Sequence, residues 1–203
     1  MSILYAPVIS GAVEGQVDEA VLKQLVTHVG AALGPIHGKN GKHALLQRLP
    51  GYNAAAQWSP WAVLVDLNQH AACAPPVRQT WLPHPTPGMC FRIVVREIEA
   101  WLLADSARLA RFLRIPATRI PPNPEALPNP KQTMVNLARG SRRRDIREDM
   151  VPRPRSGREV GPAYTSRLIE FAESHWRPGV AARRADSLRR SLRRLRQLTT
   201  RVP

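Results

Sequence analysis

Three apolar runs in the first hundred residues end in carboxylates, and every acidic residue of that half belongs to one of these ends. Glu14, Asp18 and Glu19 follow ISGAV, Asp66 sits in WAVLVDLN, and Glu97 and Glu99 lie in FRIVVREIEA. Short uniformly apolar runs rich in Val and Ile read as buried parallel strands. Each acidic cluster therefore stands where a strand gives way to a turn. Like charges brought together raise one another's pKa unless a cation neutralises them. A bound divalent metal is the least costly resolution.

The elements around these runs give an α/β reading of the first half. Ile3 to Val13 is a strand closed by a turn at Gly15. From Asp18 onward, Val21, Leu22, Leu25, Val26 and Val29 recur at helical spacing, with Gly30 and Gly34 as stops. GPIHGKNGK reads as an exposed loop, and HALLQRLPGYNAAAQ as a short helix interrupted at Pro50 and Gly51. WAVLVDLN and Met89 to Arg96 are strands, separated by a Pro-rich loop from Ala74 to Gly88. IEAWLLADSARLARFL is a helix, and Pro116 to Pro130 is a linker or an edge-covering loop. Further helices are expected near Lys131 to Ala138, Ala163 to Ser174 and Arg184 to Thr199.

The chain has 203 residues and is 43% hydrophobic, enough to bury a core as one domain or as one domain with an extension. No stretch approaches the roughly 18 apolar residues that span a bilayer. The N-terminus lacks the basic n-region and cleavage site of a secretory signal, so a cytoplasmic location is expected. Cys73 and Cys90 are too few for a disulfide scaffold and read as reduced thiols.

Charge divides the chain unevenly. Residues 1 to 100 carry a net +1 and residues 101 to 203 a net +14, and 22 of the 23 cations in the second half are arginine. Arginine offers phosphate a bidentate fork that lysine cannot. DNA or RNA is the partner this implies, although an Arg-for-Lys coding bias yields the same composition. Arg142, Arg143, Arg144 and Arg147, followed by Arg153, Arg155 and Arg158, form a Pro- and Gly-punctuated cluster that reads as a flexible clamp on a nucleic-acid backbone. In the last helix Leu188, Leu192, Leu195 and Leu198 make a narrow stripe, suited to docking on the core while the arginine face meets phosphate; a solubilising surface helix or a coiled-coil seam in a homodimer fits the run as well.

Strands with carboxylates at their ends, alternating with helices, are the layout of an open α/β sheet whose ligand site lies beyond the carboxyl edge. VEGQVDE after the first strand, an acidic motif after a later buried strand and a third cluster in VREIEAW together resemble the Toprim fold. The arrangement is similar to small Toprim-like proteins akin to the OLD-family nucleases, a group linked to phage defence. The resemblance covers about residues 1–115 and implies a largely parallel open sheet flanked by helices. Residues 116–203 then form a basic, mainly helical extension.

The resemblance also implies a metal-dependent nuclease that takes Mg2+ (or Mn2+), and a partner protein of a defence system. In Toprim proteins a glutamate after the first strand and a DxD motif after a later one hold magnesium. Glu14 matches the glutamate and Asp66 the first aspartate, which makes these two the expected catalytic residues. Asn68 stands at the second aspartate and brings an amide oxygen without charge, a departure from the carboxylate that hard cations favour. Glu97 and Glu99 can supply the missing charge. Lys39 and Lys42 can neutralise phosphate, although GKNGK lacks P-loop spacing.

Each of these residues has a plainer reading. Asp18 and Glu19 suit the first turn of a helix, where they complement its dipole. Glu97 and Glu99 could pair with Arg92 or Arg96, and Lys39 and Lys42 could be solvated loop residues. His70, just past the acidic motif, is more often structural than a ligand. Two other functions stay open on the residues alone. One is a non-catalytic Toprim-like nucleic-acid-binding or regulatory protein that has lost metal chemistry, which Asn68 permits. The other is a structural component of a larger complex whose Arg-rich half contacts an acidic protein or ribosomal RNA.

Overall fold

In the computed structural model, which describes residues 6–68 and 74–200, the chain is an α/β protein built on a four-stranded, all-parallel sheet. The elements run β1 (Val8–Val13), α1 (Gln16–His28), β2 (Ala32–Gly38), α2 (Gly41–Ala55), β3 (Trp61–Asp66), α3 (Ala74–Trp81) and β4 (Met89–Val94). There follow α4 (Ile98–Leu103), α5 (Ser106–Leu113), α6 (Pro130–Arg139), α7 (Arg144–Met150), α8 (Tyr164–Ser174), α9 (Pro178–Ala181) and α10 (Asp186–Thr199). Ile3 to Tyr5 of the expected first strand, His70 and Cys73 lie outside the described residues. No helix among the described residues is long and apolar enough to cross a membrane.

The strands lie in the order β2-β1-β3-β4, and this order decides which face each helix covers. Parallel crossovers are right-handed, so moving outward from β1 in opposite directions places the connecting helices on opposite faces. Accordingly α1 covers one face, and α2 and α3 cover the other. The two-residue period of each strand feeds both cores. Ile9, Val13, Ala62, Leu64, Cys90 and Val94 face α1, whereas Trp61, Val63, Val65, Met89, Phe91 and Ile93 face α2 and α3.

Helices α4 to α10 build onto the α1 face, and their buried residues are continuous with the sheet core. The leucine stripe of α10 is part of it, with Leu188, Leu192, Leu195 and Leu198 all buried. The stripe docks on the body of the protein, the first of the readings the sequence offers. Removing buried leucine atoms leaves a cavity, so Leu192→Ala should destabilise the protein by roughly 2–4 kcal/mol in urea denaturation. A change under about 0.5 kcal/mol would place α10 outside the cooperative unit.

Several local expectations are corrected. Residues 34–42 are not simply a loop, because β2 occupies Ala32–Gly38 as an edge strand paired with β1. Pro and Gly are tolerated there, since an edge strand leaves one row of amides unpaired. Helix α2 continues through Pro50, held by Leu45, Leu49 and Tyr52 buried against the sheet. The 74–88 segment begins with α3, whose Pro75 and Pro76 sit in the first turn, where proline sacrifices no helical hydrogen bond.

The long helix expected over 98–113 is two helices joined at Asp105. This residue is fully buried, accepts from Arg108 N–H as the cap of α5, and receives the Arg177 guanidinium at 2.7 and 2.9 Å. The 116–130 segment holds two short 3₁₀ turns, Ala117–Arg119 and Pro124–Ala126. Its Glu125 caps α10 by accepting from the Asp186 and Ser187 amides. The arginine cluster of 142–158 is not a flexible clamp along its length, because α7 orders Arg144–Met150.

Candidate functional site

Parallel strands put all their carboxyl ends on one edge, and that brings the acidic clusters together. Helices leave β1 and β3 toward opposite faces, so the crevice between these two strand ends is the topological switch point where open α/β sheets bind ligands. Glu14 follows β1, and Asp66 ends β3 beside it. Glu14 Oε1 accepts a hydrogen bond from the Asp66 amide at 2.7 Å.

The cavity at this edge measures about 390 Å³ and is lined by Asp18, Asp66, Glu99, Lys131, Glu159 and Tyr164, among others. Its walls are the first turns of four helices. Asp18 comes from α1, Glu99 from α4, Lys131 from α6 and Tyr164 from α8. Helix amino ends carry partial positive charge, which favours anions nearby.

Electrostatics in the crevice are severe. Burial raises the Asp66 pKa well above the usual carboxylate range, and the charges of Asp18, Glu99, Glu14 and Glu97 push it further. Asp18 is raised to about 7, chiefly by burial and then by Glu14 and Glu99. Burial also raises Glu14, against the opposing effects of the Asp66 amide, Lys42 and Lys131. Glu99 is raised by burial despite Lys131 and a hydrogen bond donated by the Tyr164 hydroxyl at 3.1 Å. Asp18 Oδ1 and Asp66 Oδ1 are buried with no hydrogen-bond partner. An unpaired buried carboxylate oxygen is expensive.

Two lysines face this charge. Burial lowers the Lys42 pKa, partly offset by Glu14, Asp66 and Glu97, and its Nζ is buried without a hydrogen-bond partner. Burial also opposes the charge of Lys131, but Glu99, Glu97 and Asp66 outweigh it and its pKa is raised.

The other residues singled out in the sequence are placed differently. Glu97 caps α6, its Oε2 accepting from the Lys131 amide at 2.8 Å, so its partner is neither Arg92 nor Arg96. Glu99 meets Tyr164 instead of an arginine. Asn68 takes a left-handed backbone conformation (φ 51°), and its amide and carbonyl both bond Arg96. Its side chain does not line the cavity. Lys39 pairs with Glu19 at 3.1 Å on the surface.

Among the arginines, Arg143 bonds Asp145, Arg144 bonds Glu148, and Arg147 donates to the Ser141 carbonyl at 2.6 Å. Arg142 is exposed, and Arg158 lines a separate surface hollow with Arg153. The site also contains residues the sequence reading did not place there. For Asp18 the sequence leaves a ligand role and a first-turn dipole role both open; it stands one helical turn beyond Glu14 at the start of α1 and lines the cavity. Lys131 and Tyr164 arrive only through packing of the second half and carry no local signal.

The donor set is all oxygen and strongly anionic, which fits a hard divalent cation in kind and charge. The side chains are not drawn into a closed cage, since among the described residues no three His, Cys, Asp or Glu stand close enough to hold one ion. Neither a protein-family model nor a curated protein nor a solved structure matches this chain.

Proposed function

We propose that this protein is a Toprim-like, metal-dependent phosphodiesterase acting on DNA or RNA, as the OLD-like resemblance implies, in a setting such as phage defence. The observation that carries the reading is the crevice at the β1/β3 switch point, where buried carboxylates with orphaned oxygens face two lysines. Asp66, Asp18 and Glu99 would hold Mg2+ or Mn2+, with Glu14 beside them. The ion, when bound, would supply charge to a phosphoryl oxygen and acidify a water.

The chain's own groups do the rest. Glu14 accepts the Asp66 amide and so ties the two strand ends together. Lys131 would place positive charge in the cavity wall where a phosphodiester would sit, and the buried Nζ of Lys42 would offset the carboxylates behind it. Tyr164 holds Glu99 in orientation through its hydroxyl.

One observation favours the non-catalytic reading, namely that no ligand cage is preformed among the described residues. Purified protein incubated with labelled plasmid, single-stranded DNA and RNA separates the two. Cleavage that needs Mg2+ or Mn2+ and disappears in both Glu14→Ala and Asp66→Ala supports the enzyme. Cleavage that survives both substitutions, or none with any substrate, overturns it.

A further inference from the structure

A second cleft lies at the far end of α6 from the acidic crevice. The turn joining α6 to α7 faces the end of α5 and the segment after it. Between them is a cavity of about 710 Å³ lined by Arg111, Arg114, Arg142 and Arg143, over apolar atoms of Ala110 and Ile115. No acidic side chain lines it among the described residues.

Arg143 is held in place by two bonds to Asp145, with its guanidinium 6.0 Å from the Phe112 ring centre. The other three differ. Arg144, Arg167, Arg177, Arg189 and Arg190 each meet a carboxylate. Among the described residues, Arg111, Arg114 and Arg142 have no ion pair. Arg114 also closes α5 in a left-handed conformation (φ 52°, ψ 49°), a position glycine usually takes. Converging guanidinium groups repel unless an anion enters, and their forks match phosphate oxygens.

The two clefts are connected by one helix. Lys131, at the start of α6, lines the acidic crevice, and Arg142 lies just beyond its end. Ten residues of helix span about 15 Å. That is about four nucleotide steps at the axial rise of duplex DNA.

We propose that the arginine cleft is a nucleic-acid subsite that grips backbone phosphates about four nucleotide steps from the bond presented to the acidic crevice. The distance to a scissile bond rests on the crevice being the cleavage centre; phosphate binding in the cleft does not.

The test is fluorescence anisotropy of labelled duplex DNA, single-stranded DNA and RNA in EDTA, where no cleavage occurs. Arg111→Ala/Arg142→Ala is compared with Arg189→Ala/Arg190→Ala, which removes the same charge from α10, where both arginines already pair with Asp186. Thermal melting by circular dichroism confirms that each variant is folded. Arg114→Gly, which suits the left-handed backbone, supplies a cleft variant that leaves the helix end unstrained.

At about 50 mM salt the cleft double variant should bind at least about tenfold more weakly, and the slope of log K against log salt for duplex should flatten by about 1.8, two phosphates' worth. Arg114→Gly should weaken binding in the same direction, and the α10 variant should change the slope by less than half as much. Equal effects from both double variants, or none from the cleft variants, overturn the proposal. So does inorganic phosphate binding that depends on the cleft while oligonucleotide binding does not. Cleft-dependent binding without any cleavage would sink the crevice reading alone. Metal-dependent cleavage with unaltered binding by the cleft variants would sink the cleft alone.

Discussion

Alanine at position 66 is expected to slow metal-dependent cleavage at least about a thousandfold, a loss of several kcal/mol of transition-state stabilisation. Asp66 sits at the switch point with Oδ1 buried and unpartnered, and four other carboxylates press on it. A group placed at such electrostatic cost contributes little to folding, so its removal should leave the protein folded. Nucleic-acid binding in EDTA should change less than about twofold, because a negative charge is lost and no phosphate contact goes with it. Single-turnover cleavage at saturating protein measures the first quantity and anisotropy the second. Cleavage within about tenfold of the wild type would remove Asp66 from the chemistry.

The metal-free protein should lose stability as pH rises from about 5 to about 8. Burial raises the pKa values of Asp66, Asp18, Glu14 and Glu99, and neighbouring carboxylates raise Asp66, Asp18 and Glu99 further. Such groups bind protons more tightly when folded. Their contribution to stability is therefore complete below the unfolded carboxylate range and disappears as pH climbs through the folded values, which for Asp18 means about 7. For that group alone the shift corresponds to on the order of 4 kcal/mol.

His28 works the other way, since burial and Arg196 lower its pKa and its neutral form gains as pH rises. It is one group against four. Asp145, lowered to about 2 by Arg143, changes charge only in more acidic solution. Urea denaturation in EDTA across this range tests the slope, and Asp18→Asn should flatten it and stabilise the protein at the alkaline end. A stability that climbs from about pH 5 to about pH 8 would contradict the electrostatic account.

Strand ends carrying carboxylates were legible because burial on both faces makes a parallel strand uniformly apolar, and any acid in it must lie at a terminus. That reading places Glu14 and Asp66 where the structure has them. It could not choose between Glu97 and Glu99. The choice depends on α6, whose amino end engages Glu97 and leaves Glu99 to the crevice. Edge strand β2 was hidden because its exposed, Gly- and Pro-containing sequence has none of the hydrophobicity of a central strand. Helix α3 was hidden by prolines that are disruptive in a helix interior and harmless in a first turn.

The second half misled in another way. Its arginines look alike in sequence, but the fold commits many of them to structural work. Arg147 bonds a turn carbonyl, Arg177 clasps buried Asp105, and Arg167 bridges Asp145 and Asp149. Only tertiary structure separates these from Arg111, Arg114 and Arg142, which share a cavity and no protein counter-ion among the described residues.

Calorimetric titration of Mg2+ and Mn2+ into the nucleic-acid-free protein tests the central claim most directly. Carboxylates with raised pKa must shed protons to bind a cation, so the heat should vary with buffer ionisation enthalpy as protons are released. The account predicts saturable binding in the millimolar range or tighter for the wild type, weakened by at least about tenfold in Asp66→Asn. A folded wild-type protein that binds nucleic acid yet takes up neither ion would contradict it, and the acidic crevice would then be no metal site.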